Sequence, residues 1–136
     1  MKANELRIGN LITRKNKVLK VCIIQPDKIL VSGYSWGKYF KCDDLEPIPL
    51  TEEWLFKFGF KKYEITGSYI KTPKDTANGF GFRFHTQHPF MEDLFNSVVE
   101  CSYMEQQLYV KNGLKYVHQL QNIYFALTGE ELVERP

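Results

Sequence analysis

The segment from Leu45 to Leu50, LEPIPL, constrains the fold more than any other stretch of the chain. Neither Pro47 nor Pro49 can donate a ladder hydrogen bond, and each pushes the residue before it into extended backbone. No helix and no central strand can run through such a segment. It therefore divides the chain into a first module over residues 1–46, small and β-barrel-like, and an α+β module over residues 51–136, with the two expected to pack as one compact unit.

The text before the prolines reads as strands. LRIGNLITRK opens with Leu6 and Ile8 in alternation and breaks at Gly9-Asn10, a bulge or turn signal. KVLKVCII is rich in β-branched residues, Pro26 in QPDK is set for a tight turn, and ILVSGY is the next strand. Gly33 and Gly37 then bracket Trp36 before a short strand through Phe40. Four or five short strands in so little chain predict a small bent β-sheet or open barrel.

After the prolines, TEEWLFKFGF spells a short helix. Thr51 is its N-cap, Glu52 and Glu53 complement the dipole, Trp54, Leu55 and Phe58 form one face, and Gly59 is a left-handed stop. Further antiparallel strands are expected at KYEIT, SYIKT, FGFRFHT, SVVECSY and QQLYV. PKDTANG reads as a loop, Pro89 as the start of a helical turn, and Asn112-Gly113 as a hairpin signal. A C-terminal helix packed on the sheet completes an α+β chain.

That last helix, YVHQLQNIYFALTG from Tyr116 to Gly129, contains no formal charge. Val117, Leu120, Tyr124 and Leu127 make its apolar stripe, and Gly129 its left-handed cap. The other side carries His118, Gln121, Asn122 and Phe125. Burying an amide costs far less than burying an ion, provided that its hydrogen bonds are satisfied. The pattern thus describes a helix covered on two sides, and these four residues are candidates for an interface with loops of the same chain or with a second copy in a homo-oligomer.

Charge is unevenly placed. Residues 1–42 carry nine Lys or Arg and two acids, whereas residues 43–136 carry nine and fourteen. Basic side chains bind phosphate, and exposed aromatics stack on unpaired bases. Arg14, Lys15, Lys17, Lys20, Trp36 and Lys38 are accordingly the candidates for nucleic-acid contact, with Tyr34 and Tyr39 interleaved. That assignment requires Arg14, Lys15 and Lys17 on a solvated turn and Trp36 accessible near it. No apolar run approaches the ~20 residues of a membrane span, the N-terminus has no signal-peptide core, and three dispersed cysteines fit a reducing compartment, so a cytoplasmic protein without a membrane partner is expected.

Three segments together, LRIGN, LEPIPLTEEWLFKFGF and VHQLQNIYFALTGEEL, resemble a family of small proteins from gut Bacteroidetes and their plasmids, phages and other mobile elements. The likeness covers both ends and the proline segment, while residues 61–115 are not distinctive. It implies an α+β fold, a cytoplasmic setting and an accessory role, and it carries over no catalytic residue.

Signals for chemistry are sparse. His85 and His88 with Cys101 or His118 fall short of a zinc pattern, for no Cys-x-x-Cys accompanies them. Cys101 with His118 is an unspecific nucleophile–base pair, and Asp43, Asp44 and Glu46 form an acidic turn. Phosphate-binding and dinucleotide glycine motifs are absent. The expectation is a non-enzymatic binding or accessory protein of a mobile element that contacts nucleic acid through its basic N-terminal module, with no cofactor, metal or small-molecule substrate. A homo-oligomeric interaction or structural module is the alternative, and a hydrolase or nuclease ranks third.

Overall fold

The computed structural model describes residues 1–63, 68–71, 82–86, 97–101, 106–109 and 114–135. The chain is α+β and divides into two compact units: Met1–Pro49 with Tyr116–Ile123, and Leu50–Lys115 with Tyr124–Pro136. The first unit runs through the prolines to Pro49 and takes in the first half of the C-terminal helix.

The first unit is a four-stranded antiparallel meander, β1 (Leu11–Arg14), β2 (Lys17–Ile24), β3 (Ile29–Ser32) and β4 (Lys38–Phe40), paired in that order. It is an open sheet with β1 and β4 as its edges, not a closed barrel. Arg14 pairs with Lys17 across a two-residue turn in which Lys15 and Asn16 both have positive φ, 49° and 62°. That is the mirror-image turn whose twist suits a tight hairpin. Alternation sends Ile12, Leu19, Val21, Ile29, Val31 and Phe40 into one buried face, joined there by Leu6 and Leu45. A register shift between Val21 and Ile23 interrupts the β2–β3 ladder. Outside β1, Thr13 and Glu46 exchange both backbone hydrogen bonds at 2.9 Å, so the acidic turn before the prolines partly covers that edge.

The expected strand at Leu6 and Ile8 does not form. Ala3–Glu5 is a 3₁₀ turn, Ile8 is exposed, and the first strand begins at Leu11. Asn10 is the cause. Its Oδ1 accepts the Arg7 N–H at 2.7 Å while its own N–H donates to the Arg7 carbonyl at 3.1 Å. This local pairing closes a turn at Gly9, φ +95°, and competes with strand backbone.

In the second unit, α1 (Glu52–Lys57) is capped at both ends as the residues dictate. Thr51 Oγ1 accepts the Trp54 N–H at 3.4 Å. Gly59, at φ +88°, lets Phe60 donate to the Leu55 carbonyl and Gly59 itself to that of Phe56, both at 3.0 Å. Trp54, Leu55, Phe58 and Phe60 are buried, and the Phe60 ring meets Tyr124 edge-on. A second sheet follows, β5 (Lys61–Tyr63), β6 (Ser68–Lys71), β7 (Phe82–Thr86), β8 (Ser97–Cys101) and β9 (Gln106–Tyr109), antiparallel and ordered as in sequence. The expected loop at 73–79, the helical turn at Pro89 and the Asn112-Gly113 hairpin lie outside the described residues.

The C-terminal helix, α2 (Val117–Thr128), ends at Gly129 with φ +75°. Val117, Leu120 and Tyr124 are fully buried. No helix among the described residues is long and apolar enough to cross a membrane.

Candidate nucleic-acid interface

The basic residues of the first unit are sorted by strand parity. Arg14 continues the face of Ile12, Lys17 that of Leu19, and Lys38 that of Phe40, so all three belong to the core face at the end where the apolar residues stop. They meet two aromatic rings there. The Arg14 guanidinium carbon lies 4.5 Å from the Phe40 ring centre, and Lys17 Nζ 4.2 Å from that of Tyr34. Lys38 Nζ stands 5.3 Å from Phe40 and 5.7 Å from Tyr34, and the two rings are 5.8 Å apart. Cations over ring faces are attracted by the ring quadrupole, which fixes three mobile side chains around one spot.

Among the described residues, none of Arg14, Lys15, Lys17 and Lys38 is in an ion pair. Three like charges are thus gathered without an ion pair, and beyond the attraction of the two rings their mutual repulsion is relieved by solvent and salt or by a bound anion. Lys15 sits on the exposed turn beside them. Lys20 does not join: it lies between buried Leu19 and Val21 on the opposite face of β2, in register with Leu11 and Ser32. The Arg14–Lys17 turn is solvated at Lys15 and Lys17 and half-buried at Arg14, which the sequence-based assignment requires in solvent with them.

The loop from β3 to β4 rises at the same end. Gly33 has φ +119°, and a Cβ there would come within 2.8 Å of Leu19 Cδ2; one at Gly37 would come within 3.2 Å of Leu30 Cδ1. Both feet of the loop are therefore pressed against side chains of the sheet, and only glycine fits the first. Between them Trp36 is 87% exposed, two residues beyond the Tyr34 ring that Lys17 and Lys38 approach. The seat that the Tyr34 and Phe40 rings form for the cations carries no signal in the residue spacing, where Tyr34 and Tyr39 read as stackers or as core. Tyr39 is itself covered by Lys28 Nζ at 4.7 Å.

The uncharged face of α2 finds its partners inside the first unit. Gln121 is 2% exposed; its Oε1 accepts the Leu11 N–H at 2.8 Å and its Nε2 donates to the Gly9 carbonyl at 3.3 Å. One carboxamide thus stands where a further strand would pair with β1. Asn122 Oδ1 accepts from Asn10 Nδ2 at 2.8 Å and its Nδ2 donates to the Glu5 carbonyl at 2.9 Å. Gln119 Oε1 accepts the Tyr116 N–H at 3.1 Å, half of a capping box at the start of the helix. Of the interface candidates, then, Gln121 and Asn122 bind loops of their own chain. His118 is buried and stacked on Tyr116, with ring centres 5.9 Å apart, and Phe125 lies in the second unit, 36% exposed.

His118 has no hydrogen bond on either nitrogen, and Glu5 Oε2 is 4.0 Å from Nε2. Burial lowers its pKa below the ordinary histidine value, the Glu5 carboxylate opposes that, and the terminal ammonium adds to it. Burial likewise raises the Cys42 thiol, against the N-terminal charge and with Asp43 and Glu5, which keeps it protonated and a poor nucleophile. Among the described residues no three His, Cys, Asp or Glu side chains come together as a metal site. His88 lies outside the described residues, and His85 and Cys101 are placed by backbone alone, three rungs apart in the β7–β8 register.

No family model, curated protein or solved structure matches the chain.

Proposed function

We propose that the chain is a non-enzymatic binding protein whose first unit contacts nucleic acid through the open end of its sheet. One observation carries this reading: Arg14, Lys17 and Lys38 converge on Tyr34 and Phe40 with no ion-pair partner among the described residues, beside the exposed turn at Lys15. A phosphate backbone is the anion that meets several fixed cations at once, and neutralising phosphates releases counterions. The accessory role within a mobile element, implied by the family resemblance, is consistent with such a contact and is part of the proposal.

The test is the salt dependence of binding. Wild-type protein, titrated into labelled DNA and RNA at low ionic strength, binds, and the logarithm of the affinity falls linearly with that of the salt concentration. Lys17→Gln with Lys38→Gln weakens binding and flattens the slope by ~0.7 to 0.9 for each phosphate contact removed. Absence of binding to single- and double-stranded DNA and RNA at low salt defeats the reading.

A further inference from the structure

We infer that this surface takes single-stranded nucleic acid, with one unpaired base stacked on Trp36 and the adjoining phosphates on the Arg14–Lys17–Lys38 cluster. The inference rests on the nucleic-acid reading above and adds the class of partner.

Charge alone does not choose between duplex and single strand, since both present phosphates. The aromatic side chain chooses. A large ring left 87% in water gives up the burial that stabilises other tryptophans, and among the described residues Trp36 makes no ring stack and receives no cation. By contrast, Trp54 is buried, packed at a tilt against Phe58 and covered by Lys57.

The loop that carries Trp36 is held in place. At its two glycine feet a Cβ would crowd Leu19 and Leu30, so the loop lies close against the sheet and the indole projects from that base. Tyr34, in the same loop, has its ring engaged by Lys17 and Lys38, and Phe40 is buried under Arg14. Trp36 is therefore the aromatic face at this end that a base can reach. A base paired inside a duplex offers no face to stack on, whereas every unpaired base does, whatever its identity. The same arrangement implies little sequence preference, because stacking engages the ring face that every unpaired base has.

The experiment compares a short oligothymidylate with a duplex of equal length, using the full chain at low salt and fluorescence anisotropy. Wild-type protein binds the single strand more tightly, and its exposed-tryptophan emission is quenched on binding. Trp36→Ala weakens single-strand binding by roughly 5- to 150-fold, the range for loss of one stacked base. Duplex binding is left unchanged, and Trp36→Phe restores part of the single-strand loss. Far-UV circular dichroism of the variants matches wild type, since the indole packs on nothing. If Trp36→Ala binds the single strand as wild type does while Lys17→Gln with Lys38→Gln still weakens it, the stacking inference is overturned and the nucleic-acid reading survives. Equal loss on duplex and single strand, or equal binding to heparin with the same quench, also overturns it. If neither nucleic acid binds wild type, both readings fall together.

Discussion

Replacing Gln121 with Met removes a carboxamide and keeps most of its volume, and it isolates the reason the C-terminal helix carries no charge. In the native protein Gln121 closes the outer edge of β1, taking the Leu11 N–H at 2.8 Å and giving a hydrogen to the Gly9 carbonyl at 3.3 Å. A thioether does neither. Each backbone group left unsatisfied on this part-buried edge costs about 1–3 kcal/mol. The longer bond belongs at the low end of that range, so the pair amounts to about 2–4 kcal/mol, a large part of the ~5–15 kcal/mol by which domains are stable. With a urea m-value of about 1–3 kcal/mol/M, the midpoint falls by ~1–2 M. Gln121→Ala, which also loses the buried Cγ methylene, costs at least ~0.8 kcal/mol more.

Two measurements check this. Urea unfolding followed by circular dichroism gives the loss, and amide hydrogen exchange locates it, because the Leu11 amide becomes the least protected of β1. Gln121→Glu adds a sign test. Its buried carboxyl would have a raised pKa in the folded state, so this variant is closest to wild type below about pH 4.3, where the unfolded carboxyl is also protonated, and loses stability as pH rises. A loss under 0.5 kcal/mol for Gln121→Met, with Leu11 protection unchanged, would refute the edge-closing role.

Other predictions follow from single positions. Lys15-Asn16, both at positive φ, should be replaceable by Asn-Gly with a gain of about 0.5–1 kcal/mol in thermal or urea unfolding, and a loss would mean that the turn is not of the mirror-image type. His118, buried with its pKa lowered mainly by desolvation, contributes stability that is complete above the unfolded value near 6.5 and is lost as pH falls toward the folded one. His118→Phe, which keeps a ring on Tyr116, should flatten that decline between pH 7 and 5, and superimposable pH curves would exclude the effect. Gly59→Ala places a Cβ at φ +88°, 3.1 Å from Arg135 Cδ and Lys71 Nζ, and should destabilise by ~1–2 kcal/mol, whereas a neutral result would show that the helix end relaxes.

Where the sequence was legible, a local rule and the tertiary structure asked for the same thing. KVLKVCII is β2 residue for residue, because its β-branched residues favour extended backbone and its alternate residues Leu19 and Val21 are buried. Thr51 and Gly59 bound α1 because capping is settled within one turn of chain. Leu6 and Ile8 misled because alternation over three residues is weaker than the hydrogen bonds by which Asn10 closes its own turn. Residue types alone describe the amide face of α2 as covered; its partners, Gly9, Asn10 and Leu11, lie more than a hundred positions away, and no spacing rule reaches that far.

The candidate site divides along the same line. The exposure of Trp36 had to come from the fold, for the sequence shows only a glycine on either side of it. The split of the lysines was present in the sequence, since Lys17 and Lys20 are three apart in one strand and must face opposite ways. What else had to come from the fold is the register that lays β4 beside β3 and so brings Phe40, Tyr34 and Lys38 to the end of the hairpin formed by Arg14 and Lys17. A count of +7 over residues 1–42 describes a basic segment; three of those charges around two rings, with a bare indole two residues along the chain from one of them, are the arrangement on which the proposed contact with a phosphate and its base rests.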